Sequence, residues 1–191
     1  MLFRSFGRVL DLNHAVHGRF GAEVHRWLGW HWAGSLYQLG RLQYALRQDT
    51  EPHGDSIPGV EADEWLLDVH IPDTGPLPPA TVDESLDAAR AFFAEHFPDK
   101  PVRTAICASW LLDPYLLEHL PPGSNIVRLA MRFTPYGEPR DVPGDAVYFT
   151  FRTRDMEHLD RLPRDTTLQR VVLDRIAAGG TWQLGYGFLR L

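Results

Sequence analysis

Cysteine is almost missing from this chain: Cys107 is the only one in 191 residues. That excludes an internal disulfide framework and a cysteine-based zinc site, and it fits a reducing compartment. An excess of positive charge is missing too. Nineteen Lys and Arg stand against twenty-five Asp and Glu, a net charge of −6 with pI near 5.8. Nucleic acid is therefore not an expected partner, because phosphate contacts dominate such binding. No window approaches the roughly 20 apolar residues of a membrane span, and residues 1–8 lack the apolar run of a signal peptide. The expectation is a cytoplasmic protein with no membrane partner. Internal repeats and low-complexity segments are absent as well.

What is present suits a globular core: 44% of residues are hydrophobic and 12% aromatic. One domain over 1–191 is the default for this length. It is expected to begin with a helical segment at about 8–32, followed by a sheet core at about 36–191. Val16, Phe20, Val24 and Leu28 recur every four residues and predict a helix over 12–28, although Gly18 and Gly21 weaken it. His14 and His17 lie one turn apart, but no third ligand is near, so no metal is expected. Trp27, Trp30 and Trp32 are expected to cover the core.

Residues 36–47 mix leucines at helical spacing with Gly40 and two tyrosines, and are read as strand; 49–63 reads as a solvated loop. Residues 64–71 alternate as a strand, with Trp65, Leu67, Val69 and Ile71 on one face and Leu66, Asp68 and His70 on the other. After the loop 72–80, Thr81 and Glu84 match a capping box for a helix over 81–97 that buries Val82, Leu86, Ala89, Phe93 and Phe97. A strand at 102–110 follows, so strand, helix and strand form a parallel pair with a right-handed crossover.

The centre of the chain is 103–133. Asp113 is placed to cap a short helix with Pro114 at its first position, and Pro121-Pro122-Gly123 stops it. Residues 126–133 alternate and predict a strand, joined by a hairpin loop at 134–144 to another strand at 146–152. Asp165 is expected to cap a helix closed by Gly179-Gly180. In the last strand, Trp182, Leu184, Tyr186 and Phe188 share one face. Gly185 and Gly187 on the other imply a close backbone approach.

Several blocks then point to a family. Leu36-Tyr37-Gln38-Leu39-Gly40-Arg41-Leu42-Gln43-Tyr44 is the first, and His70-Ile71-Pro72 with Gly75-Pro76-Leu77 the second. Ser109-Trp110-Leu111-Leu112-Asp113-Pro114 and Ser124-Asn125-Ile126-Val127-Arg128 complete the set. Together they resemble the GNAT-like C-terminal domain of bacterial acyltransferase domain-containing proteins. The resemblance implies an α/β (α+β) fold: a GNAT-like mixed, twisted, mostly antiparallel sheet with a central parallel pair and helices on both faces. It implies acetyl-CoA or another acyl-CoA as cosubstrate, and an acyl group passed to an amine of a small molecule or a peptide. A separate N-terminal domain or subunit is an implied partner, since the family carries one ahead of this domain. The acyl-CoA site falls on 64–71, 72–80, 81–97 and 102–109, with Ile71, Thr74, Gly75, Trp110 and Arg128 as cofactor-binding candidates.

Direct attack by an amine on a thioester needs a base and an acid for the leaving thiolate. His70, at a strand end and opposite the apolar stripe, is the candidate base. Ser109 and Tyr115 are the candidate acids, His119 a weaker one. Arg128 and Arg132 are read as sharing a strand face able to hold an anion. Cys107 is mid-strand among apolar residues and not expected to react. Ser109 lacks the Gly-x-Ser-x-Gly elbow of a hydrolase.

One departure keeps a second class open. The Gln/Arg-x-x-Gly-x-Gly/Ala loop of GNAT enzymes is absent. Pro72, Pro76, Pro78 and Pro79 remove four backbone donors, while Asp73, Asp83 and Glu84 add negative charge. The alternative is a non-catalytic GNAT-like scaffold or interaction domain.

Overall fold

A computed structural model of the chain describes residues 7, 10–11, 13–14, 17–21, 25–48 and 56–191. The chain divides into two compact units, residues 1–37 and 38–191. In the first unit the expected continuous helix over 12–28 is interrupted. Gly18 turns the backbone to φ +65, Phe20 is 78% exposed, and helix α1 (His25–Trp32) starts afresh. Leu28 is buried as expected, whereas Trp30 and Trp32 are exposed and do not cover a core. Val16, Val24 and residues 49–55 lie outside the described residues.

The second unit holds the expected mixed sheet. Strands β1 (Tyr37–Leu39), β2 (Leu42–Arg47) and β3 (Trp65–His70) precede helix α2 (Pro79–His96) and strand β4 (Val102–Ser109). After a 3-10 turn (Trp110–Leu112) come α3 (Pro114–His119) and α4 (Asn125–Ala130). Two short strands, β5 (Thr134–Pro135) and β6 (Arg140–Asp141), lead to α5 (Pro143–Phe151), α6 (Thr167–Ala177) and β7 (Gln183–Arg190). The sheet order is β1-β2-β3-β4-β7-β5, with β6 also on β7. The β3–β4 pair is parallel; β2–β3, β4–β7, β5–β7 and β6–β7 are antiparallel. The crossover helix α2 is locked to the β1–β2 hairpin by one buried serine. Ser85 Oγ donates to Leu39 O, accepts from Leu42 N at 3.1 Å and lies 3.0 Å from Tyr44 Oη. Burial, partly offset by that bond, pushes the Tyr44 hydroxyl up to about 12.

Two expected strands are helices. Residues 126–133 fall in α4 and the turn after it, where Ser124 Oγ accepts from Val127 N at 3.3 Å. The alternation was coincidental. Met131, one of its apolar positions, is 73% exposed, while Val127 and Ala130, one helical turn apart, are buried. Residues 146–152 fall in α5, which Pro143 opens at its first position. Ala146, Val147 and Tyr148 are buried in succession, and Phe149 is exposed, so period two does not hold there either. The expected hairpin between them is replaced by β5 and β6, each pairing with β7.

Two caps also move. Thr81 is inside α2, which starts at Pro79 after Pro78; its hydroxyl donates to Pro78 O at 2.9 Å and caps nothing. Proline fits the first turn, where its missing N–H is not needed, so the helix begins earlier than the Thr-x-x-Glu pattern suggests. At α6 the cap is Thr166, not Asp165. Gln169 N donates to Thr166 Oγ1 and Thr166 N to Gln169 Oε1, a reciprocal box.

Asp113 does cap α3, accepting from Tyr115 N at 2.9 Å. It does more than the sequence implies. Its other oxygen accepts from Arg175 Nη1 at 2.7 Å and Gln183 N at 2.9 Å, and the residue is 1% exposed. The close approach expected at the β7 glycines is real: a Cβ at Gly185 would collide with the Leu112 carbonyl, and one at Gly187 would lie 2.7 Å from Phe133 Cβ. Loss of a cap alone costs about 1 kcal/mol. Breaking a buried ion pair costs about 3–5 kcal/mol. Asp113→Ala is therefore expected to lower unfolding free energy by the larger amount in denaturant titration, and Asp113→Asn, which keeps some acceptor capacity, by less.

Candidate functional site

The β3–β4 pairing runs from Trp65↔Val102 to Asp68↔Ile106. Beyond that point both strands continue, but each on its outer neighbour. β3 stays paired with β2 to Gln43↔His70, and β4 stays paired with β7 to Ser109↔Gly185. The two central strands thus part at their C-terminal ends, above the loop 71–78 that leads into α2.

Register settles which residues share a face. Leu66 pairs with Thr104 and Asp68 with Ile106, so His70 continues on the side of Ile106 and Ala108. Ile106 pairs with Phe188 and Ala108 with Tyr186, which places those rings on the same side. Ser109 is on the opposite side with Ala105 and Cys107. The sheet sets His70 and Ser109, the expected base and one of the expected acids, on opposite faces, flanking the parting.

His70 is mostly buried, and its Nε2 lies 3.7 Å from Asp68 Oδ2. Asp68 also accepts from Arg47 Nη1 at 3.1 Å. Ser109 Oγ accepts from Leu111 N at 3.1 Å and starts the 3-10 turn. Tyr115 is stacked on His119 with centroids 3.6 Å apart, and the Arg175 guanidinium lies 4.4 Å over its ring. Trp110 is buried edge-on against Trp182. Cys107 is buried, and desolvation, then the Asp68 charge, push its thiol far up, as its apolar setting implied.

The proline-rich loop is organised by arginine. Arg41 donates to the carbonyls of Pro72 (2.8 Å), Gly75 (2.6 Å) and Pro76 (2.8 Å). Gly75 has φ +105, a conformation open to glycine and closed to most side chains, and it is exposed. Thr74 N donates within the loop to Pro72 O at 2.9 Å. Ile71 is half-buried where the loop begins.

Two of the three negative charges counted against an anion are neutralised, and Glu84 stays exposed. Asp73 forms an ion pair with Arg152, and Asp83 accepts from Arg132 Nε at 2.9 Å and Nη2 at 2.7 Å. Arg132 Nη1 donates to Arg128 O at 2.6 Å. Arg128 lies in α4 and Arg132 in the turn after it, against the start of α2, so they do not share a strand face. The Arg128 side chain is exposed and has no ion-pair partner among the described residues. The start of an 18-residue helix offers unpaired amides and a positive dipole end.

Arg41, Asp68 and Tyr136 were not singled out by sequence reasoning. Asp68 was legible, two residues before His70 on one strand face. Arg41 stood within a recognised block, but its reach of more than thirty positions to the loop carried no local signal. Tyr136 lay in what read as a polar loop.

Residues 36–189 match the family described as the GNAT-like C-terminal domain, and the chain belongs to it. Among solved structures, an acyltransferase in complex with decanoyl-CoA and teicoplanin is 34% identical with a TM-score of 0.85. A mutant acyltransferase in complex with octanoyl-CoA is 33% identical with a TM-score of 0.85. An acyltransferase in complex with CoA and 10C-teicoplanin is 32% identical with a TM-score of 0.84. All of this chain is covered in each comparison, but it spans only 57% of each of those chains. Curated proteins give no significant match. Among the described residues no helix is long and apolar enough to cross a membrane.

The Arg41 clamp gives a test independent of function. Hydrogen bonds from a charged donor contribute about 1.5–3 kcal/mol each when shielded, and less when exposed. Arg41→Ala is expected to leave the sheet intact while amide exchange at residues 73–77 speeds up, as measured by hydrogen–deuterium exchange. Unchanged exchange would mean the prolines alone hold the loop.

Proposed function

We propose that this domain transfers an acyl group from acyl-CoA to an amine of a small molecule or peptide. The observation that carries the reading is the parting of β3 and β4 directly above an arginine-neutralised helix start, in a chain matched along its whole length to acyltransferases crystallised with acyl-CoA. Acyl-CoA supplies the activated carbonyl. The phosphates are served by the start of α2 and by Arg128, with Ile71, Thr74 and Gly75 along the approach. His70, steadied by Asp68, takes the proton of the attacking amine. Ser109 is the nearer of the two proposed acids to the parting; Tyr115, stacked on His119 under Arg175, fits a structural role at least as well. The matched structures are longer chains, so a second domain or subunit completing the acceptor side is part of the proposal.

The loop favours a second reading. Its carbonyls are turned to Arg41, and its prolines donate nothing, as in a scaffold that no longer binds CoA. Thermal melting separates the two. A ligand at 100 times its Kd stabilises by about 2.7 kcal/mol, so decanoyl-CoA or acetyl-CoA is expected to raise the melting temperature by several degrees. No shift at millimolar ligand would sink the acyl-CoA reading and leave the scaffold.

The base is tested separately. His70→Ala is expected to lower turnover of acyl-CoA by roughly 10²–10⁴-fold, the range for a lost general base, while the acyl-CoA-induced melting shift survives. Full turnover in that variant would remove His70 from the chemistry.

A further inference from the structure

The sheet face that carries His70 also carries Asp68 and Arg47, but its β4 and β7 part is largely apolar. Ile57, Leu66, Ile106 and Phe188 pack there together with two tyrosines, Tyr136 and Tyr186. Tyr136 follows β5, and its amide donates to Tyr186 O at 3.1 Å. Its ring centroid lies 6.1 Å from those of Tyr186 and Phe188. The residue is 7% exposed, and its hydroxyl is buried with no hydrogen-bond partner among the described residues.

A buried hydroxyl without a partner costs about 1–3 kcal/mol. Phenylalanine would fill the same space without that cost, so packing does not explain the oxygen. The hydroxyl is also placed. Among the charges that act on it, the Asp68 carboxylate comes first and the Arg47 guanidinium second. Asp68 is the last β3 residue paired with β4 and the neighbour of the His70 ring. Tyr136 bonds through its amide to Tyr186, which pairs with Ala108 one row beyond the last β3–β4 pair, so the residue stands in the row where the strands part. Burial, then the Asp68 charge, push its pKa far up, so it keeps its proton and acts as a donor.

We propose that Tyr136 is a catalytic hydrogen-bond donor whose hydroxyl is directed at the acyl thioester oxygen at the parting of β3 and β4. The inference rests on the acyl-CoA reading above. As the amine nitrogen bonds to the thioester carbon, the carbonyl π electrons move to oxygen, and Tyr136 donates to that oxyanion. The amine proton passes to His70. The oxyanion then collapses, the carbon–sulfur bond breaks, and CoA leaves as thiolate to be protonated by the proposed acid. Tyr136 neither gains nor loses a proton. This role differs from that expected of Tyr115, which was to protonate the thiolate.

The test is Tyr136→Phe, read three ways. Melting temperature is expected to hold or rise, since the variant sheds a costly buried hydroxyl. Decanoyl-CoA with an isotope-labelled carbonyl, bound to the wild-type domain, is expected to show a lowered carbonyl stretch in difference infrared spectra, and Tyr136→Phe is expected to lose that shift. Turnover should fall by roughly 10²–10³-fold, the effect of removing one oxyanion donor. A ring-fluorinated tyrosine at 136, a stronger donor that preserves packing, should lower the stretch further and serves if Tyr136→Phe folds poorly. Equal stretches in wild type and variant, at equal binding, overturn the role of Tyr136 and leave the acyl-CoA reading standing. Failure of decanoyl-CoA to bind the wild-type domain overturns both.

Discussion

The second unit depends on one buried carboxylate. Asp113 sits just after the 3-10 turn that ends β4, and with two oxygens it holds three donors: the first turn of α3, Arg175 from α6, and the amide of Gln183 where β7 begins. A buried charge is tolerated only when its lone pairs are taken and a counter-charge is near. Arg175 supplies that charge and is itself sandwiched over Tyr115 and Trp182. The carboxylate therefore fixes the C-terminal end of β4 against the N-terminal end of β7. With that end pinned, Leu112 is pressed on the bare backbone of Gly185, and β4 is held to β7 as far as Ser109↔Gly185. This is what lets β4 diverge from β3 without fraying: its lost partner on one side is compensated by a full ladder on the other.

Electrostatics around the β3–α2 loop follow a similar logic with arginine in the leading role. The loop has few backbone donors to offer, because prolines occupy many of its positions. Its carbonyls turn inward to one guanidinium, and its acids are matched by Arg152 and Arg132. Cancelling Asp73 and Asp83 leaves the dipole of α2, the exposed Arg128 and Glu84, unpaired among the described residues, as the field an anion would meet. A planar fork with five donors can hold several carbonyls at once, which a lysine ammonium cannot do in fixed geometry. The glycine-rich amide cradle of other such folds is thus absent here, and side-chain cations carry the positive charge instead.

How far the sequence could be read depended on whether a segment's period was unambiguous. The β3–α2–β4 unit was legible because strict alternation gave way to apolar spacing of three and four and back again, with proline punctuation between. Residues 126–133 and 146–152 were not, because short helices with an apolar face can mimic alternation over six to nine residues. What decided them was tertiary: β7 had its edge taken by β5 and β6, so neither segment had a strand to pair with. The cap of α2 was misread by three positions because proline opens that helix ahead of the Thr-x-x-Glu pattern, and that of α6 by one because Thr166 and Gln169 form the reciprocal box. Of the candidate site, His70 was visible from its place at a strand end. Arg41 and Tyr136 were not, since each acts through contacts set by the fold across long stretches of chain.

The face assignments change what the parting of the strands is for. In a closed sheet His70 and Ser109 would be insulated from each other by the backbone, and no single reacting atom could touch both. Where β3 and β4 separate, the backbone barrier opens, and groups from the two faces converge on one gap. In the proposed reading, the base and donor on the side of Ile106 would address the acyl carbon and the hydroxyl on the side of Cys107 the leaving sulfur. In the tetrahedral intermediate of acyl transfer the amine nitrogen, the oxyanion and the sulfur are separate substituents of one carbon, so groups on two faces would reach different ones. Asp68 and His70 stand at the end of the β3–β4 ladder next to the parting, whereas Thr104, paired with Leu66 farther down, is fully buried and its hydroxyl accepts from Arg190.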